Sequence, residues 1–71
     1  MNTMQIVHKA DRFRSRTDPP TDPTRYCVVN VLVPGKRMVE RVELRWSGGD
    51  WLFNDGLRLS RANVVLSWRY R

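Results

Sequence analysis

Eleven of the thirteen basic side chains in this sequence are arginines, and their spacing is not uniform. Arg37, Arg41 and Arg45 recur every fourth residue, Arg69 and Arg71 lie two apart near the C-terminus, and Arg58 stands alone near a turn. Spacings of two and four along extended chain put side chains on one side of a sheet, at distances that can follow successive phosphates. The guanidinium offers a planar fork of donors that matches phosphate or carboxylate with paired hydrogen bonds, and it stacks on rings. Nearer the N-terminus, Arg12, Arg14 and Arg16 alternate with Phe13 and Ser15, and with Lys9 against Asp11 they give that arm a charge of +3. The whole chain carries +6, which directs it toward polyanions: nucleic acid, a nucleoprotein complex or an acidic protein surface. Trp51, placed between Gly48-Gly49-Asp50 and Asn54, reads as an exposed ring able to stack on a base or fill a partner's pocket. Trp46 and Trp68 fall on inward faces and read as packing.

Enzymatic chemistry lacks an inventory. The only histidine, His8, is far in sequence from the only cysteine, Cys27, so no nucleophile has an adjacent base in the sequence, and no Cys/His cluster has zinc spacing. Asp50 and Asp55 sit in turn sequences, where backbone bonding accounts for them. Cys27 lies in a valine-rich run, which argues for a buried and inert thiol. A non-enzymatic binding protein without a cofactor or metal is the expectation.

The elements that position these residues read as strands. From residue 25 onward apolar and polar residues alternate with a period of two, the pattern of strands with one face buried. Residues 25–33 are apolar on almost every position, as in a central strand. Val33-Pro34-Gly35-Lys36 is a turn, with Pro presetting φ and Gly accepting the positive φ that follows. Residues 37–46 then place Met38, Val42, Leu44 and Trp46 on one face and Arg37, Arg41, Glu43 and Arg45 on the other. The expected register pairs Leu32 with Met38, Asn30 with Glu40, Val28 with Val42 and Tyr26 with Leu44, matching the two polar misfits. Ser47-Gly48-Gly49-Asp50 turns the chain into a strand over 51–53, Asn54-Asp55-Gly56 turns it again into 57–59, and Ser60 caps a helical turn or 3₁₀ turn. The last strand, 64–71, is expected to bury Val64, Leu66, Trp68 and Tyr70 and to expose Val65, Ser67, Arg69 and Arg71.

Residues 1–24 form a basic arm followed by a stiff spacer. Three prolines and the repeated Thr-Asp-Pro carry −2 there, from Asp18 and Asp22. Met4, Ile6 and Val7 fit either an edge strand or one or two helical turns. The expected architecture is therefore all-β: a five-stranded antiparallel meander or SH3-like small barrel over 25–71, with an N-terminal arm. Seventy-one residues make a small core, so large aromatics or a homodimer are the available reinforcements. No apolar run is long enough to cross a bilayer as a helix and no secretory leader is evident, so the expectation is a cytoplasmic protein with no membrane partner.

Trp51-Leu52-Phe53, Asp55-Gly56-Leu57 and Ser60-Arg61-Ala62-Asn63-Val64-Val65 resemble the tryptophan strand, the glycine-hydrophobic strand and the 3₁₀ turn into the last strand of SH3-like barrels. The likeness covers about twenty residues. The acidic, aromatic first loop of the peptide-binding members is missing, so binding of Pro-rich ligands is not implied. DNA, RNA and protein binding all occur among SH3-like barrels. By size and style alone, with no residue motif, the chain also resembles small phage accessory proteins, including anti-CRISPR inhibitors. That resemblance implies occupation of a nucleic-acid site or a protein face of a host defence complex.

Overall fold

Four turn signals and a long run of β-branched residues organise the chain as one antiparallel sheet, seen in a computed structural model that describes residues 12–71. The strands are β1 (Arg14–Ser15), β2 (Tyr26–Val33), β3 (Met38–Ser47), β4 (Asp50–Leu52) and β5 (Val64–Tyr70), and the described residues contain no helix. Their order across the sheet is β1-β5-β2-β3-β4. The last strand thus returns beside β2 instead of extending the meander, and β1 and β4 remain as the two edges. The sheet does not close into a barrel. The readings of His8, of Lys9 with Asp11, and of Met4, Ile6 and Val7 concern positions outside the described residues.

The β2–β3 register differs from the expected one by one residue. Val33 pairs with Met38, Val31 with Glu40, Asn30 with Arg41, Val29 with Val42 and Cys27 with Leu44. The cause is the turn. Lys36 N donates to Val33 O at 3.3 Å with Gly35 at φ 80°, as the Pro-Gly pair requires, but Arg37 then takes a left-handed φ of 51°. That brings the strand back one position sooner, and a one-residue shift exchanges faces. Cys27, Val29 and Val31 are buried, whereas Tyr26, Val28, Asn30 and Leu32 occupy the other side. The left-handed backbone at Arg37 costs an L-residue roughly 1–2 kcal/mol, and asparagine tolerates it better. Arg37→Asn is therefore expected to stabilise the domain by about 0.5–1 kcal/mol, read as a higher urea midpoint with an unchanged slope.

Face assignment along β5 also changes, at a β-bulge. Val65 pairs with Val31, and Ser67 with Asn30, leaving Leu66 as the extra residue. Val65 therefore packs on the core while Val64 and Leu66 are 38% and 42% exposed. Beyond the bulge, Trp68 and Tyr70 point inward as expected. The 57–59 segment yields only an isolated bridge, Leu52 with Arg58, instead of a strand. Asp55 Oδ1 takes the Leu57 amide at 3.0 Å, a local bond that competes with a ladder, and Leu57 stands 66% exposed. Ser60 caps a hydrogen-bonded turn through the Ala62 amide, without a 3₁₀ helix.

The core is Cys27, Val29, Val31, Leu44 and Trp68, with Val42, Trp51, Phe53, Leu59, Val65 and Tyr70 packed against it. Each fully buried large side chain contributes about 1.5–3 kcal/mol. The Pro-rich segment covers one end. Trp68 Nε1 donates to Asp18 O at 2.8 Å, the amides of Thr21 and Asp22 donate to Tyr70 Oη at 3.1 and 3.3 Å, and Pro20 is buried. Three prolines hold this stretch near the geometry it docks in, which lowers the entropy lost on docking.

Candidate functional site

Two surfaces gather chemistry-bearing side chains, one on each side of the sheet. Directly paired residues share a face, so the register places Arg41 and Arg45 of β3 with Asn30 and Tyr26 of β2 and with Ser67 and Arg69 of β5 on the outer face. Arg71 joins them from the end of β5, where its amide donates to Tyr26 O and its guanidinium reaches Glu43 at 3.3 Å. The cations foreseen at positions 41, 45, 69 and 71 do share one face. Phe13 reaches this face from beside the edge strand, delivered by the pairing of β1 with β5. The guanidinium carbons of Arg41 and Arg69 each stand 5.5 Å from its ring centroid, within cation–π range. Asn30 Oδ1 accepts from Arg41 Nε at 3.4 Å and Asn30 Nδ2 donates to Ser67 Oγ at 2.9 Å. Asn30 thus serves Arg41 instead of Glu40, which lies on the other side. Arg41, Arg45 and Arg69 form no ion pair with a described acid.

At the turn end of this face an apolar row replaces the charges. Val39, Leu32 and Val64 are neighbours across three strands. Val39 is about half exposed.

Other arginines lie elsewhere. Arg37 is in the β2–β3 turn, and Arg12 is exposed. Arg14 pairs with Trp68 and lies on the core side, its guanidinium 5.2 Å from the Trp68 ring and 5.8 Å from that of Tyr70. Arg25 packs over Tyr70 at 4.0 Å. Arg58 pairs with Asp50 at 3.7 Å, as does Arg61 at 3.5 Å. Arg16 lines an open cleft of ≈ 420 Å³ together with Trp46, Trp51, Asp50, Leu59 and Arg61. The role read for Trp51 needs correction: it is half-buried and packs on the core, and Trp46, on the inward face as expected, packs against it. Their rings meet edge to face at 5.0 Å and 62°. Trp51 cannot be the free exposed ring expected from its turn, because Gly48 and Gly49, at φ 61° and 83°, form a tight two-residue hairpin that folds β4 back onto β3.

Three groups depart from their ordinary ionisation. The Thr24 hydroxyl and amide, donating to Asp22 Oδ1 at 2.6 and 3.0 Å, hold that carboxyl below its usual value. Burial pushes the Cys27 thiol up, with Arg25 offsetting part of the shift, so the sulfur is a packed thiol. Burial also works against ionisation of Tyr70, but the amides of Asp22 and Thr21 donating to its oxygen more than offset this and leave the phenol below its usual value.

Phe13, Asn30, Ser67, Trp46 and Arg61 were not foreseen as site residues. Phe13 carried a signal in its place between Arg12 and Arg14, and Asn30 in being a polar misfit on an apolar strand. Comparison with known proteins gives no matching family model, no match among curated proteins and no match among solved structures.

Proposed function

We propose that the protein binds nucleic acid, alone or within a nucleoprotein complex, through the outer face of its sheet. The observation that carries this reading is the placement of Arg41 and Arg69 against Phe13, with Asn30 holding Arg41 from a second direction. Guanidinium groups held in place lose less freedom when they meet a phosphate, and a rigid sheet spaces them. Arg45 extends the row along β3, and Arg71 adds a charge that Glu43 moderates. No step of chemistry is assigned to these residues. Inhibition of a host defence complex, in the manner of small phage proteins, falls within this reading.

Titration against single- and double-stranded oligonucleotides at several salt concentrations tests it. Binding is expected at low salt, with log affinity falling linearly against log salt. The double variant Arg41→Ser, Arg69→Ser is expected to weaken binding and to reduce that slope by about 2, one for each phosphate left without its guanidinium. No binding at low salt, or an unchanged slope in the double variant, refutes the assignment.

The apolar row Val39, Leu32 and Val64 supports a second reading, in which the same face docks an acidic protein partner or a second copy of the chain. Light scattering separates the homodimer from the monomer. Charge reversal at Arg41 and Arg45 that abolishes capture of a protein partner, with oligonucleotide behaviour unchanged, favours this alternative.

A further inference from the structure

The cleft on the other side of the sheet has a chemistry of its own. Arg16, just beyond β1, and Trp51 and Asp50, on β4, line the same space, so residues beside both edges of the unclosed sheet meet there. Its lining is aromatic and aliphatic, from Trp46, Trp51, Leu59 and Val65, with Arg16 and the exposed Arg61 among the charged residues. A volume of ≈ 420 Å³ lies within the range of about 300–1,000 Å³ that small-molecule sites occupy. Trp51 is committed to the core, with its ring 6.4 Å from that of Trp68. Trp46 is half-buried, meets Trp51 edge to face and lines the cleft, so its indole is the ring the cleft offers to a planar ligand.

We propose that this cleft binds a nucleotide, its base stacked on the Trp46–Trp51 pair and its phosphate held between Arg16 and Arg61. Arg16 has no ion pair with a described acid, and the side chain of Arg61 is 87% exposed with a single contact to Asp50 at 3.5 Å. Arg61 can turn to a phosphate because Arg58 also reaches Asp50, at 3.7 Å, and keeps that carboxylate paired. Two guanidiniums against one carboxylate leave the lining at +1, and Arg58 adjoins it through Asp50, which favours an anionic ligand over a cationic one. The site lies across the sheet from Arg41 and Arg69 and does not depend on their binding nucleic acid.

The test is titration with adenosine monophosphate followed by tryptophan fluorescence, with adenosine and inorganic phosphate as separate arms and the fold of every variant checked by far-UV circular dichroism. Saturable quenching by the nucleotide is expected, with adenosine and phosphate each binding more weakly by about tenfold or more. Arg16→Ala and Arg61→Ala are each expected to lose about tenfold in nucleotide affinity. Asp50→Asn is expected to tighten binding, because it removes the one negative charge and frees Arg61. Trp46→Leu should abolish stacking, and Trp46→Phe, which keeps a ring and the fold, should retain part of it. Quenching that rises linearly without saturation overturns the proposal. So does equal affinity for phosphate and nucleotide, which marks a simple anion site, or weaker binding in Asp50→Asn. The Arg41→Ser, Arg69→Ser protein should bind the nucleotide as the parent does; a loss there places the nucleotide on the outer face and removes the cleft as its site.

Discussion

Trp68→Ala is expected to leave the chain largely unfolded in buffer at 25 °C. Trp68 is the largest of five fully buried side chains, and the other four are Leu44, Val29, Val31 and Cys27. Its ring contacts Tyr70 edge to face at 4.9 Å and Trp51 at 6.4 Å, and Arg14 lies over it at 5.2 Å. Its Nε1 donates to Asp18 O and so fastens the Pro-rich segment. Truncating a buried tryptophan costs about 3–5 kcal/mol. A core in a domain of this size rarely supplies more than about 3–5 kcal/mol in total, so one substitution removes most of the stability. Trp68→Phe separates packing from hydrogen bonding. It keeps most of the apolar area, leaves the Asp18 carbonyl without its donor, and should cost about 1–3 kcal/mol. Urea unfolding followed by circular dichroism measures both. A Trp68→Ala protein that unfolds cooperatively with nearly the parent midpoint would contradict the central place given to this residue.

The parts of the fold that were legible share a local cause. The alternation from Met38 to Trp46 fixed the face of β3, and Pro34-Gly35 and Gly48-Gly49 marked two turns that the backbone confirms at positive φ. The parts that were not legible depend on non-local pairing or on a pattern with no contrast. Residues 26–33 are apolar on both faces, so hydrophobicity could not choose between Val29 and Val28, and the left-handed Arg37 decided it. Matching Asn30 with Glu40 was a plausible polar pairing, but Asn30 instead finds Ser67 and Arg41, one of them thirty-seven positions away. The bulge at Leu66 inserts a single residue that no periodicity reports. With two residues, β1 is too short to show any period, so the contacts of Phe13 with Arg41 and Arg69 could not be foreseen. The outward placement of Arg41, Arg45, Arg69 and Arg71 was legible because it needs only the period of two within each strand. That they share one face is a property of β5 pairing with β2. The cleft was illegible for the complementary reason: Arg16, Trp46 and Arg61 come from three separate parts of the chain.

Tyr70 is the second residue on which the fold turns, through one oxygen. Its hydroxyl accepts the amides of Thr21 and Asp22, both in a segment that contributes few donors to any ladder because three of its residues are prolines. Its ring adds an edge contact to Trp68 and a face to Arg25 at 4.0 Å. Tyr70→Phe removes only the acceptor and is expected to cost about 1–3 kcal/mol, part of it recovered where the Thr21 amide reaches water. Tyr70→Ala also removes the ring and is expected to cost about 3–5 kcal/mol. The two variants should differ in kind as well as size. In Tyr70→Phe the sheet persists while residues 17–24 lose their anchor, so trypsin should cut faster after Arg16 and Arg25, which flank the segment, before global unfolding is detectable. Because Arg16 enters the cleft from that segment's start, the same variant should weaken nucleotide binding and leave the outer-face affinity for oligonucleotides unchanged. Equal tryptic rates for Tyr70→Phe and the parent would show that Trp68 and Pro20 alone hold the segment in place.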